Sequence, residues 1–217
     1  MATLAERIEN RALLSKVMPV EEAVKLVRSG ETVAVSGFTK SGEPKAFLPA
    51  LARHFAEVDP SARINLLTGA SLSSEVEDPV APFIQSRGPY MSSAVSRKLI
   101  HAGKMDFMDV HLALFARNLM YGFYGDIHTA VIEVSRVRPN GSVVLTNSVG
   151  VSAEALLKAR QIILEVNTAG PDYTGFHDIV TPSVHPTNQW PIPITDVIDR
   201  VGAPYVERLR GHVGLSA

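Results

Sequence analysis

Apolar residues in this chain fall into short unbroken runs, separated by longer stretches in which they recur at helical spacing. Thr32–Val35, Ile64–Leu67, Ala130–Val134 and Ile162–Val166 are the runs. Continuous, β-branched-rich segments of that length are expected of strands buried on both faces. Pro19–Ser29 carries Val20, Ala23, Val24 and Val27 as a stripe behind an acidic first turn, with Gly30 as a stop, which predicts a helix over 19–29. Ala46–Val58 places Leu48, Leu51, Ala52 and Phe55 on one face and predicts a second helix. Further helices are expected from Ser92 or Ser93 to Ala102 with Gly103 as the stop, over Leu112–Met120, and over Ser152–Arg160. Met105–Val110 reads as a strand. Asn140-Gly141 is a strong reverse-turn dipeptide that joins Ala130–Val134 to a partner strand at Val143–Thr146. Leu72–Pro89, rich in proline and acids, reads as a loop with at most a short helix. Beyond Asn167, Pro171, Pro182, Pro186, Pro191 and Pro193 mark a long irregular segment that holds the only tryptophan, Trp190.

Buried strands alternating with helices predict an α/β fold, a three-layer α/β/α sandwich around a mostly parallel sheet with one hairpin. Ligands of such sheets bind beyond the carboxyl ends of the strands. Two loops fall there. Val33–Lys45, VAVSGFTKSGEPK, runs from a buried strand through Gly37 and Gly42 into an amphipathic helix, a geometry that aims backbone N–H groups at a negative ligand atom. Gly37 and Gly42 equally serve a chain that merely has to turn. Thr68-Gly69-Ala70-Ser71 follows the next strand in the same way.

Composition narrows the field. The 217 residues suffice for one sizeable domain, and 46% hydrophobic with 20% charged residues is a globular composition. A net charge of −1 supplies no long-range field, so neither nucleic acid nor an anionic membrane is an expected partner. The absence of cysteine excludes disulfides, thiolate metal sites and a cysteine nucleophile. No apolar run reaches the roughly 20 residues of a membrane span, and the N-terminal residues lack a continuous apolar stretch, so the cytoplasm is the expected location.

Candidate chemistry is sparse. Glu133 and Glu165 interrupt apolar strands, and an unpaired buried carboxylate costs roughly several kcal/mol. Each is therefore expected to be held by backbone N–H groups or an arginine; a nucleophile or general base is the sharper alternative. Asp106, Asp109 and His111, with Asp126/His128 and His177/Asp178, offer metal-ligand atoms without any established metal spacing, so no metal is expected. Tyr121–Asp126, YGFYGD, reads as core packing with turns or as a pocket wall. Neither a G-x-S-x-G nor a Walker A pattern occurs.

Taken in order, SGFTKSGEPK (36–45), LLTGAS (66–71), the end of the helix over Arg97–Gly103, DVHL (109–112), YGFYGDIHTAVIEVS (121–135), GSVVLTNSVG (141–150), IILEVN (162–167) and IDRVGAPYV (198–206) resemble the N-terminal half of the acetyl-CoA hydrolase/transferase family. Within it they are most similar to the bacterial succinyl-CoA:acetate and propionyl-CoA:succinate CoA-transferases. The resemblance implies a cytoplasmic two-half enzyme, a homodimer at full length, that moves coenzyme A from an acyl-CoA to a carboxylate such as acetate or succinate. It implies no permanently bound cofactor, coenzyme A and acyl-CoA being substrates. A glutamate attacks the thioester and passes through a glutamyl-CoA intermediate. The pocket would be lined by Gly37, Phe38, Thr39, Gly42 and Pro44, with Gly69, Ala70 and Ser71 as a second wall. The catalytic glutamate of the family belongs to the C-terminal half, which this chain lacks; Glu133 and Glu165 do not match it, and the isolated chain is expected to be inactive. Residues 1–206 match the N-terminal domain. The tail 207–217, ERLRGHVGLSA, replaces the family's proline turn and β-branched strand and is expected to hold no strand. A frameshift or truncation is expected there, an engineered tail or a split-gene subunit being the alternatives. Two other functions remain in view, a sugar-phosphate-binding α/β domain and a non-catalytic subunit that binds a C-terminal partner.

Overall fold

The apolar runs become neighbouring strands of one sheet. A computed structural model describes residues 2–182, 187, 190–207 and 212–216. In chain order the elements are α1 (Leu4–Arg7), α2 (Arg11–Leu14), β1 (Val17–Met18), α3 (Val20–Ala23), β2 (Thr32–Val35), α4 (Phe47–Val58), β3 (Ile64–Thr68) and α5 (Ser74–Glu77). They continue as β4 (Ile84–Gly88), α6 (Ala94–His101), β5 (Asp106–Phe107), α7 (Leu112–Tyr121), β6 (Thr129–Val137), β7 (Val143–Leu145), α8 (Ser152–Lys158), β8 (Gln161–Val166) and β9 (His212–Ser216). The sheet order is β1-β9-β8-β6-β2-β3-β4-β5. Every pair along it is parallel, and β7 adds to β6 antiparallel as the one hairpin.

Alternation along each strand splits the core into two layers. Val33, Val35, Leu66, Val131 and Ile163 point to the side of α4, where Phe47, Leu48, Leu51 and Phe55 are buried. Ala34, Leu67, Ala130, Ile132, Ile162 and Leu164 point to the opposite side, against Phe115 and Leu119 of α7 and Leu156 of α8. Helices on both faces of a parallel sheet are the arrangement that such unbroken runs require. Register then sets the height of the polar groups. Val35, the last residue of β2, pairs with Val131, and Glu133 pairs with Glu165, so both glutamates project past the end of β2, level with the loop that leaves it.

Four expectations need correction. The helix over 19–29 is one α turn followed by a 3-10 turn over Val24–Leu26; Val27 is already extended, because the chain must enter β2 by Thr32. Leu72–Pro89 is not a loop alone, since it contains β4. That strand is polar in sequence because Arg87, fully buried, binds the buried Glu77 at 2.9 Å, Thr68 Oγ1 at 2.8 Å and the Gly88 carbonyl at 2.8 Å. A satisfied ion pair supports a buried strand that apolar periodicity does not reveal. The strand over 105–110 shrinks to the two-residue edge strand β5. The tail does hold a strand: β9 pairs with β8 from Gln161↔His212 to Glu165↔Ser216 and with β1 at Val17↔Leu215. It satisfies backbone groups of β8 that would otherwise lie on an open edge.

Candidate functional site

Three loops meet beyond the carboxyl ends of the parallel strands. The first leaves β2 at Ser36, whose hydroxyl donates to the Gly42 carbonyl at 2.7 Å and accepts from Glu133 N at 2.9 Å. Between them Phe38 and Ser41 pair through their backbones (2.9 and 3.2 Å), with Thr39 at a φ of +58° on the tip. Left-handed backbone at a threonine costs roughly 1–3 kcal/mol and persists only where surrounding contacts enforce it. Gly37 and Gly42 are needed for steric reasons as well. A Cβ on Gly37 would lie 3.0 Å from Leu72 Cδ2, and one on Gly42 would lie 2.7 Å from Ser148 Oγ. The second loop, after β3, touches the first where the Gly37 carbonyl comes to 3.2 Å from the Cβ position of Gly69. The third, after β7, does so at Gly150, where the corresponding distance is 3.5 Å.

The two glutamates fasten this junction. Glu165 accepts from the backbone N–H groups of Lys45 (2.6 Å), Ala46 (3.1 Å) and Phe47 (3.1 Å), and so caps α4 with a carboxylate where no local side chain does. Burial raises its pKa, the three N–H groups oppose that shift, and neighbouring Glu133 adds to it. Glu133 accepts from Lys45 Nζ at 3.1 Å, Asn167 Nδ2 at 2.9 Å and Thr146 Oγ1 at 2.6 Å. Glu165 is thus held by backbone N–H groups as expected, whereas Glu133 is held by a lysine, an asparagine and a threonine and by neither of the expected partners, backbone N–H groups or an arginine. Glu43, also buried, crosses to accept from Ser73 N at 2.7 Å. The loop end of the sheet is a polar knot with its charges partnered.

Of the residues expected to line a pocket, Gly37, Gly42, Pro44, Gly69, Ala70 and Ser71 are buried in this junction, and Phe38 and Thr39 stand exposed at its rim. Gly37 and Gly69 are brought together and Gly42 is set against Thr146 and Ser148. The Ser71 hydroxyl accepts from Ser92 N, and the Ala70 carbonyl accepts from the Thr68 hydroxyl. Lys45, Glu43, Thr146, Ser148, Gly150 and Asn167 belong to the same site and were not singled out in sequence. All six lie in stretches that carry the family resemblance, and the Thr-Asn-Ser-x-Gly turn after β7 places hydroxyls and a glycine at a strand end.

Several members of the other clusters have structural partners. His111 caps α7, accepting from Ala113 N at 3.3 Å; His128 Nδ1 accepts from Thr32 N at 3.0 Å; Asp126 pairs with Arg160; Asp178 accepts from Gly202 N at 2.7 Å. Among the described residues no group of three or more histidines and carboxylates is placed to hold a metal. In the YGFYGD stretch Tyr124 packs on Phe115 with ring centroids 5.1 Å apart, whereas Phe123 is exposed. No helix of the described residues is long and apolar enough to cross a membrane.

Known proteins share this architecture. The sequence profile of the acetyl-CoA hydrolase/transferase N-terminal domain matches residues 1–201. The propanoyl-CoA:succinate CoA transferase of Escherichia coli is 39% identical over 88% of this chain and 40% of its own length. An acetyl-CoA hydrolase of Schizosaccharomyces pombe is 38% identical over 94% of this chain and 41% of its own. The glutaconate coenzyme A-transferase of Acidaminococcus fermentans, at 16% identity, shares the fold with a TM-score of 0.57, over 70% of this chain and 67% of that one. The chain thus spans about two fifths of the length of the curated relatives it matches. With a profile match over nearly all of its residues, the chain belongs to the acetyl-CoA hydrolase/transferase family and carries that family's N-terminal domain.

Proposed function

We propose that this chain is the substrate-loop half of an enzyme that moves coenzyme A from an acyl-CoA to a small carboxylate such as acetate or succinate. Residues 1–206 form the family domain, and the nucleophilic glutamate comes from the C-terminal portion, supplied by a longer chain or by a separate polypeptide. In the reaction that portion's carboxylate attacks the thioester carbonyl and expels the CoA thiolate, which leaves an acyl-glutamyl anhydride. The thiolate attacks the glutamyl carbonyl, the acyl group departs as a carboxylate, and glutamyl-CoA remains. An acceptor carboxylate reverses these steps to give the new acyl-CoA; attack by water on glutamyl-CoA gives hydrolysis instead. Each addition develops an oxyanion, which preorganised donors stabilise.

The observation that carries this reading is the glycine-lined loop 36–45, pinned at the carboxyl end of the sheet by Glu133 and Glu165. Phe38 and Thr39 form its exposed rim, and Gly69, Ala70 and Ser71 back it. Coenzyme A enters as substrate, with no resident cofactor; the assembled enzyme is a cytoplasmic homodimer that acts on neither nucleic acid nor membrane.

The test is calorimetric titration of the chain with succinyl-CoA, acetyl-CoA and sugar phosphates, followed by a transfer assay with acetate. The expected result is weak acyl-CoA binding and no transfer by the chain alone. Binding of sugar phosphates in preference to acyl-CoA overturns the reading. Turnover in the range of about 1–1000 per second by the chain alone would return Glu133 and Glu165 to candidacy as nucleophiles.

A further inference from the structure

The chain leaves the core at Ile179 and returns at Ala203, the two residues pairing through both backbone bonds (2.8 and 3.0 Å). Asp178 tightens this base by accepting from Val201 N and Gly202 N. Farther out, Asp199 accepts from Thr195 N at 2.8 Å and Asp196 N at 2.9 Å, so the excursion holds a turn of its own. Among its described residues, five apolar side chains between 190 and 198 are nevertheless uncovered. Trp190 is 84% exposed, Val197 91% and Ile198 80%, and Ile192 and Ile194 are each more than half exposed. Large apolar residues scattered singly on a surface need no explanation, but five within nine positions do. A backbone organised by its own hydrogen bonds, yet presenting apolar side chains outward, is arranged for contact.

We propose that residues 190–198 are a docking strip for the polypeptide that supplies the remaining three fifths of the family's length, a deepening that rests on the reading given under Proposed function. Two observations argue for that occupant. Relatives carry more than half of their length beyond the matched region. The excursion is also tied to the candidate site at its root: Asn167, where the segment leaves β8, donates to Glu133, and His177, just before Ile179, hydrogen-bonds the Thr146 carbonyl that follows β7. The root of the excursion thus meets the residues that pin the loop 36–45, the relation required of a half that brings a nucleophile to that loop. A groove of about 260 Å³ between Trp190, Ile192 and the end of α7 at Arg117 and Tyr121 gives the strip a recess for one inserted side chain.

The experiment co-expresses the tagged 217-residue chain with the part of the Escherichia coli propanoyl-CoA:succinate CoA transferase that lies beyond its match to this chain. The expected result is a one-to-one complex on affinity capture and light scattering, weakened at least tenfold by the double substitution Val197→Ser, Ile198→Ser, in the manner of other central apolar contacts. Both residues lie almost wholly in solvent, so the variant keeps the fold, which a thermal melt checks. A complex unaffected by the double substitution overturns the docking strip, as does a chain that pairs only with itself or a probe that fails to co-purify. Acyl-CoA titration of the same variant separates this from the functional reading: unchanged binding is expected, and lost binding in the wild type speaks against the function and not against the strip.

Discussion

The loop 36–45 and the strip 190–198 are both irregular, both lie outside the strands and both belong to the family match, yet they are built in opposite ways. In the loop, polar groups are gathered and answered: Glu165 takes three N–H groups, Glu133 takes a lysine, an asparagine and a threonine, and glycines allow three backbones to touch. In the strip, backbone polar groups are answered locally and the apolar side chains are left out. Buried polar junctions of the first kind hold their own geometry. A surface of the second kind contributes little to the folded chain by itself and has most to gain from a partner. The contrast predicts large effects on stability at one end of the molecule and small ones at the other.

The largest effect is expected at Gly42. Its φ of +70° disfavours any side chain by about 1–2 kcal/mol, and a branched one must also displace Ser148 Oγ, adding overpacking of about 1–3 kcal/mol. Gly42→Val is thus expected to lower unfolding stability by roughly 4 kcal/mol in a urea titration. Glu165→Ala follows, at about 3 kcal/mol, because it strips the acceptor from the first turn of α4 and leaves buried N–H groups without a partner. A value under about 1 kcal/mol would mean that water replaces the carboxylate, and that the junction is looser than its geometry indicates.

Glu154 on α8 is buried, with one carboxyl oxygen that has no partner among the described residues. Desolvation pushes its pKa from 4.5 up to about 7. The folded chain therefore holds this proton more tightly than the unfolded chain does. Stability from this group is full near and below pH 4.5, declines as pH rises from 4.5 to 7, and is flat above. The shift corresponds to at most about 3 kcal/mol, and Glu154→Gln is expected to recover about 2 kcal/mol at pH 8 and almost nothing at pH 4. Melting curves of both proteins at the two pH values check it.

How much of this was legible in sequence follows the same division. The central strands and the helices α4, α6 and α7 could be read because burial on both faces, or on one stripe, writes itself as apolar spacing. The fold class followed from their alternation. Strand β4 could not be read, since its burial depends on Arg87 meeting Glu77, a pairing across ten residues that no periodicity encodes. The tail strand β9 escaped for a related reason: its place is defined by the open side of β8, not by a pattern of its own. At the site, the glycines of the 36–45 loop stood out, whereas Lys45, Thr146 and Asn167 did not. Their role comes from converging on one carboxylate, and convergence is a property of three dimensions.

The smallest effect is expected on the strip itself. Ile198→Ser, or Val197→Ser, removes a side chain that touches little of the folded chain, so unfolding stability is expected to change by no more than about 0.5 kcal/mol. The neighbouring change Asp199→Ala provides the internal control. Asp199 is held as a carboxylate by the N–H groups of Thr195 and Asp196 and by the Thr195 hydroxyl, which lower its pKa. Its loss frees the turn without altering any apolar side chain. If the strip is a surface presented by a locally organised backbone, Asp199→Ala leaves the melting temperature in place while making 190–201 more sensitive to protease. The serine variants leave both unchanged. A serine variant that instead melts several degrees lower would show that these side chains already pack within the isolated chain, and the opposition between the two regions would collapse into one continuous core.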